Sequence, residues 1–176
     1  MIPRASIPMC PRAARRGMTL VEILMALSIL SLLAASVGSA VKGSLQGYAD
    51  NTAIADLAQA SRTAANKILG ELRQADDVTS STGQLRIYSN AAKTNGTIYQ
   101  LVSGTLQYNG LAGGVVGSAE PLIGSDGQIT VTGFAITRAE NAVPQTVSVS
   151  IHLTLTGGGQ TYEATFAAAV RKNQSF

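Results

Sequence analysis

A single carboxylate, Glu22, interrupts a long apolar run that extends from Leu20 to Val41. A charged side chain within hydrocarbon costs roughly 2.5–3.5 kcal/mol on insertion scales, so such a residue is functional by default and requires a partner. Two arginines and a glycine, Arg15, Arg16 and Gly17, directly precede Met18 and the run. The sequence therefore raises one chemical question first, which is what cation pairs with this carboxylate.

The other candidate chemical residues are few and isolated. His152 is the only histidine and falls on the polar side of an alternating segment, which favours a surface position. Asp76 and Asp77 follow a helical pattern, and we expect solvated acids there, with a cation site as the alternative. Asp126 lies in a Gly-Ser-Asp-Gly turn, where aspartate usually serves the turn itself. The one cysteine, Cys10, excludes a disulfide framework and a cysteine metal site.

These residues do not predict an enzyme. The chain contains no Gly-x-Ser-x-Gly elbow, no P-loop and no cysteine–histidine cluster. We therefore expect no catalytic residues, no metal and no cofactor. The predicted function is anchoring and assembly.

The charge distribution argues against a nucleic-acid surface. Four arginines precede Met18 without any acidic residue, and from Met18 onward nine Lys/Arg stand against ten Asp/Glu. The basic character therefore belongs to the head of the chain. With eight scattered aromatic residues, a base-stacking platform is not supported either.

The head and the apolar run have the composition of a leader and a membrane anchor. Residues 1–17 are rich in proline and arginine, as in a targeting leader. Leu20–Val41 would span about 33 Å as a helix, enough to cross a bilayer. The arginines before the run, with only Lys42 after it, place the N-terminus in the cytoplasm and the remainder across the membrane. A buried core helix is the alternative interpretation of this run.

The helical pattern continues beyond the apolar run. No proline occurs between Pro11 and Pro121, so the sequence predicts one helix from near Met18 to about Val78. A cluster of turn-forming residues, DDVTSSTGQ, marks its predicted end. Apolar residues at three- and four-residue steps predict one buried face: Leu45, Tyr48, Ala55, Leu57, Ala58, Ala65, Ile68, Leu69, Leu72 and Ala75.

After Gly83 the apolar residues alternate, which predicts strands. The predicted segments are Leu85 with Ile87, Ile98–Val102, Leu106–Tyr108, Ile129–Thr137 with a bulge at Gly133, Thr146–Thr156 and Tyr162–Val170. Ser103-Gly104 predicts a tight hairpin, and Gly157-Gly158-Gly159 a second turn. Residues 110–127 are predicted to be loop-like, with Pro121-Leu122-Ile123 as an edge segment.

Together these elements predict an α+β fold. Alternation on one face describes an antiparallel sheet with one dry side, and residues 55–75 of the helix are the available cover. The predicted domains are a leader at 1–17, an apolar helix at 18–41, an amphipathic helix at 42–78 and a β-rich domain at 79–176.

The string RRGMTLVEILMALSILSLL resembles the N-terminal segment of type IV prepilins and type II secretion pseudopilins. The resemblance implies a pilin-like fold and a structural, non-enzymatic subunit. It also implies that a prepilin peptidase cuts after Gly17, that the new terminus Met18 is N-methylated, and that Glu22 is the family's glutamate. Phenylalanine is commoner than methionine at the position of Met18.

The resemblance also implies the partners. The α-amine that the cut exposes is the cation expected to pair with Glu22 of a neighbouring subunit during filament assembly. Further partners are other pilin or pseudopilin subunits, the peptidase, the membrane and an inner-membrane assembly platform. GELRQADDV and the near match Arg171-Lys172-Asn173 resemble J-type minor pseudopilins and W-type minor pilins. The absence of a cysteine pair near the C-terminus is unlike many major pilins.

Two alternatives remain at this point. The apolar run could be an ordinary signal peptide of a secreted or anchored β-rich binding protein, with Gly38 and Ala40 before the cut. A competence-type pilin for DNA uptake is the second alternative, although the charge balance does not support it.

Overall fold

The structure is a computed structural model that describes residues 17–140 and 146–170. The chain divides into two compact units between Leu45 and Gln46, and each unit is described by itself. The predicted leader up to Arg16 lies outside the described residues, as do Arg171, Lys172 and Asn173.

One long helix, α1, extends from Leu20 to Gln74. The prediction of a single uninterrupted helix is confirmed, but its end comes four residues before the predicted Val78. The backbone N–H of Ala75 still donates to the Leu72 carbonyl at 3.3 Å, whereas that of Asp76 donates to the Tyr88 carbonyl at 2.8 Å. The chain therefore passes from helix into sheet pairing within two residues.

The part of the second unit that follows α1 consists of antiparallel strands. They are β1 Asp77–Ser81, β2 Gln84–Tyr88, β3 Gly96–Val102, β4 Thr105–Ala112, β5 Val115–Ile123, β6 Ile129–Glu140, β7 Thr146–Gly157 and β8 Gln160–Ala169. In the described ranges they form a five-stranded sheet in the order β1-β2-β3-β4-β5 and a three-stranded sheet in the order β6-β7-β8. The α+β class is confirmed, with two sheets where the sequence predicted one.

Tight turns connect most neighbouring strands. Ser103 and Gly104 join β3 to β4 with φ values of 49° and 80°. Positive φ at both central residues is the type I′ geometry, whose twist suits a two-residue hairpin. The hairpin predicted at these two residues is confirmed. The bulge predicted at Gly133 is confirmed as well, since the pairing of β6 with β7 shifts register between Val131 and Gly133.

Two strands lie where turns or loops were predicted. The first, β1, occupies most of DDVTSSTGQ, and its Val78 is fully buried. The second, β5, occupies Gly-rich residues that were predicted to be loop-like, and Gly113-Gly114 turns β4 into it. The prediction of an edge segment at Pro121 is confirmed, because β5 is an edge strand and a proline there interrupts no inner ladder.

The second half of α1 contributes one face to the core. Its buried residues are Leu57, Ser61, Ala64, Ile68 and Leu72, spaced by three or four positions. All of them except Ser61 pack in one hydrophobic cluster with apolar side chains of the strands. The predicted cover of the sheets by residues 55–75 is thus largely confirmed.

The predicted buried face was wrong at three positions. Leu45, Tyr48 and Ala55 are exposed, whereas the small residues Ser61 and Ala64 are buried. A pattern of apolarity alone ranks a large side chain above serine. Burial at this interface instead follows the position of a residue on the helix face, whatever the size of its side chain.

The two sheets are joined at Val78. Its backbone carbonyl accepts hydrogen bonds from the Arg138 guanidinium and from the Thr146 hydroxyl, both at 3.0 Å. A further backbone bond runs from the Val131 N–H to the Gly104 carbonyl at 2.8 Å. Because buried carbonyls need partners, these bonds fix β1 against β6 and β7.

Candidate functional site

The residues at the predicted cleavage site precede the helix. Gly17, Met18 and Thr19 are exposed and lie outside α1. A Cβ atom added to Gly17 would meet no atom within 4 Å. The peptide bond between Gly17 and Met18 is therefore not packed against any part of the described chain.

A threonine determines where the helix begins. The Thr19 hydroxyl accepts a hydrogen bond from the backbone N–H of Glu22 at 3.3 Å, and the Thr19 carbonyl accepts from Ile23 at 3.2 Å. This is an N-cap, which satisfies one of the free N–H groups at a helix start. Our sequence reasoning missed this role, although Thr-x-x-Glu before an apolar run is the signature of a capping box.

The predicted assembly residue, Glu22, therefore lies in the first turn of α1. A carboxylate there is favoured by the positive end of the helix dipole. Glu22 is exposed, and within residues 17–140 and 146–170 no basic side chain lies within ion-pair distance of it. In the structure Gly17, Met18 and Glu22 thus lie within six consecutive residues, and the Glu22 side chain is exposed.

The first unit contains a helix stretch that is apolar and uncovered. Every residue from Gly17 to Leu45 is exposed, among them Leu20 at 75%, Leu32 at 71% and Val37 at 60%. By length and composition α1 is able to cross a membrane, and none of its most apolar window is buried inside the chain. Such a surface needs lipid or other apolar helices around it.

The serines of this stretch are compatible with an apolar environment. Four hydroxyls each donate to the backbone carbonyl three residues earlier, at 2.8 Å. The four residues are Ser28, Ser31, Ser36 and Ser39. Because each hydroxyl has an internal acceptor, none demands water or a partner chain for its proton.

Comparison with known families addresses the same stretch. Residues 12–38 match the family model of the prokaryotic N-terminal methylation motif. The N-terminal segment of this chain is therefore type IV prepilin-like. The match includes Gly17, Met18 and Glu22, and it ends before the second unit begins. No curated protein and no solved structure matches the chain significantly.

The remaining candidate residues lie among side chains or turns that account for them structurally. His152 lies on β7 with its Nε2 3.8 Å from a Glu163 carboxylate oxygen on β8. Asp77 pairs with the Lys93 ammonium at 2.5 Å, and this contact raises the pKa of Lys93. The Asp126 carboxylate accepts the Gln128 N–H at 3.1 Å, so it does serve the turn. None of the described acids and histidines forms a group that could hold a metal ion.

A polar cluster links α1 to the larger sheet within the second unit. The Lys67 ammonium lies 4.0 Å from the ring centroid of Tyr108 and 4.0 Å from a Glu71 carboxylate oxygen. Tyr108 also donates its hydroxyl to Glu120. The adjacent Tyr99 is fully buried, and burial together with the Glu71 carboxylate strongly raises its pKa. The cluster therefore connects α1 to the larger sheet.

Proposed function

We propose that this prepilin-like chain is the precursor of a minor subunit of a type II secretion pseudopilus or a type IV pilus. A prepilin peptidase cuts it after Gly17 and methylates the amine of Met18. The mature subunit stays in the inner membrane until it enters the filament through its apolar helix. Its role is structural, and it catalyses no reaction.

The position of the cut is supported by the geometry around Gly17. The peptidase must reach an extended, unpacked peptide bond, and residues 17–19 are exposed and precede the helix. Because Thr19 caps the helix, the cut leaves only two residues before α1. The new amine then lies close to the start of the helix that carries Glu22.

Membrane anchoring is supported by the exposed apolar side chains before Leu45. The arginines before Gly17 favour a cytoplasmic N-terminus, which places the strand-rich unit in the periplasm. A subunit in a filament then exchanges lipid for the helices of its neighbours. Both surroundings cover the same apolar side chains, so a single sequence suits the two states.

The pairing of Glu22 with a neighbour's α-amine drives this exchange. Opposite charges about 4 Å apart attract by about 1 kcal/mol in water and by about 4 kcal/mol at an effective dielectric constant near 20. A carboxylate without a cation in an apolar environment is penalised, whereas a paired one is not. The pair therefore favours the assembled state and fixes the axial stagger between subunits.

The observation that carries this proposal is the exposed Glu22 in the first helical turn, inside the matched motif and without a cation among the described residues. A minor rather than a major subunit is supported by Leu72-Arg73-Gln74-Ala75, the Leu-Arg-Gln-Ala segment of the minor members, which lies where α1 ends.

The test replaces Glu22 by Gln, Ala and Asp in the full chain and measures the subunit in membranes and in sheared filaments. We expect the Gln and Ala variants to be cut normally but to enter filaments at least about tenfold less, equivalent to about 1.4 kcal/mol. The Asp variant keeps the charge and is expected to retain part of the assembly. Equal filament entry of the Gln variant and the wild type would contradict the proposal.

A further inference from the structure

The strand β8 forms an edge of the three-stranded sheet that no other described strand covers. It pairs with β7 over ten residues without a register shift. The pairing extends from Gly157 opposite Gln160 to Ser148 opposite Ala169. In the described ranges no other strand hydrogen bonds to its outer side. The strand contains no proline and one charged residue, Glu163. Natural proteins usually protect such edges with prolines, lysines, bulges or short strands.

The other sheet edges do carry such devices. The strand β1 is five residues long, β5 contains Pro121, and β6 has a bulge before Gly133. In addition, Arg138 on β6 donates to the carbonyl of Val78 on β1. The strand β8 differs from all three, because it is long, regular and almost uncharged.

The core beneath β8 is incomplete. On β7, Val149, Ile151, Leu153 and Leu155 are completely buried. On β8, the residues that face the same side, Tyr162, Ala164 and Phe166, are only half-buried. One further strand beside β8 would cover the exposed parts of these three side chains.

We propose that this strand is β8 of a second copy of the chain, paired antiparallel with Ala164 opposite Ala164. In this register Tyr162 of each copy lies opposite Phe166 of the other, on the core side of a six-stranded sheet. Aromatic cross-strand pairs contribute about 0.2–1 kcal/mol each relative to alanine pairs. The edge is therefore self-complementary, as a twofold interface requires.

The single charge supports the same register. With Ala164 on the twofold axis, Glu163 lies opposite Thr165 of the second copy. A shift by one residue of each strand would place Glu163 opposite Glu163, and directly opposed like charges are destabilising. Such a shift would also remove the two aromatic pairs.

The size of the interface predicts a weak dimer. Stable interfaces use about 20–30 residues on each side, and a ten-residue strand supplies fewer than half of these. A twofold contact closes on itself and does not propagate, so this pair is a state of two subunits distinct from the filament contacts.

A cysteine at the twofold position tests the pairing. Ala164→Cys is introduced into the full chain with Cys10→Ser, and membranes are solubilised in detergent before treatment with a mild oxidant. Directly opposed residues have Cα atoms about 4.5–5.5 Å apart, within the range for a disulfide. Ala167→Cys is the matched control, because it is more exposed but lies about 20 Å from its copy in this register.

We expect a covalent dimer of the Ala164→Cys chain and at least fivefold less of it for Ala167→Cys. Equal yields, or capture of a different protein by Ala164→Cys, would overturn the inference. Either result leaves the filament proposal standing, because cleavage and filament entry are measured separately.

A charge pair gives a second test in the same background. Thr165→Glu places a carboxylate opposite Glu163 of the second copy and should lower the yield of the Ala164→Cys dimer. Thr165→Lys places an ammonium there and should raise it. Both sites are exposed, and thermal unfolding confirms that each variant folds. Equal yields from the two variants would contradict the proposed register.

Discussion

The two halves of α1 differ in how their apolar side chains are exposed. From Leu20 to Leu45 the apolar side chains are exposed, whereas from Leu57 to Leu72 one face is buried against strands. The second half finds its cover within the chain. The first half has no cover among the described residues, and its length and composition suit a membrane. An apolar helix is therefore not in itself evidence for a core.

The largest predicted effect comes from the same substitution in both halves. Leu72→Ala opens a cavity in the core and should lower the free energy of unfolding of the second unit by about 2–5 kcal/mol. Leu32→Ala, at a leucine that is 71% exposed, should leave that free energy unchanged. Urea unfolding of the full chain in detergent measures both free energies, with the loss of the strands monitored spectroscopically. Similar losses for the two variants would refute the distinction between the halves.

A smaller effect concerns pH and the buried Tyr99. Burial raises its pKa in the folded chain, whereas tyrosine in the unfolded chain titrates near pH 10. The contribution of Tyr99 to the free energy of unfolding is therefore complete below pH 10. It falls above that pH by about 1.4 kcal/mol per pH unit. Tyr99→Phe should reduce this alkaline loss at little cost near pH 7, because the hydroxyl has no well-placed hydrogen-bond partner in the described chain. An unchanged slope between pH 10 and 11 would contradict the prediction.

The smallest effect concerns the start of α1. Thr19→Ala removes the N-cap and should cost about 1 kcal/mol of local helix stability, so that the first turn frays. Thr19→Ser keeps the hydroxyl and is the matched control. Amide hydrogen exchange near Glu22 in detergent should accelerate in the alanine variant alone. Equal acceleration in both variants would show that the cap does not hold the turn.

The sequence predicted the elements that have strong periodicity. The long helix, the Ser103-Gly104 hairpin and the β7 strand all follow patterns with many apolar residues. On β7, four alternating residues from Val149 to Leu155 are completely buried. Val147, which was also predicted to face inward, has a side chain outside the described part.

The sequence failed where tertiary contacts outweigh local composition. The strand β1 has a single buried apolar residue, Val78, and its neighbours are turn formers. Its pairing depends on β2 and on bonds from Arg138 and Thr146, which are distant in sequence. The strand β5 depends in the same way on β4, because most of its side chains are exposed. Such strands leave no periodic signal of their own.

The candidate site could be proposed from the sequence because its signal is local. Gly17, Met18 and Glu22 lie within one short motif, and the family match covers them. The capping role of Thr19 was readable from the same residues, although our sequence reasoning missed it. The edge at β8 was not predictable, since it depends on which strands pair with which.

The most direct test of the account is the N-terminal sequence and intact mass of the mature chain purified from membranes. The account predicts a chain that begins at Met18 and carries the mass of one additional methyl group on its α-amine. A mature chain that begins near Val41 would identify an ordinary signal peptide and would contradict the account.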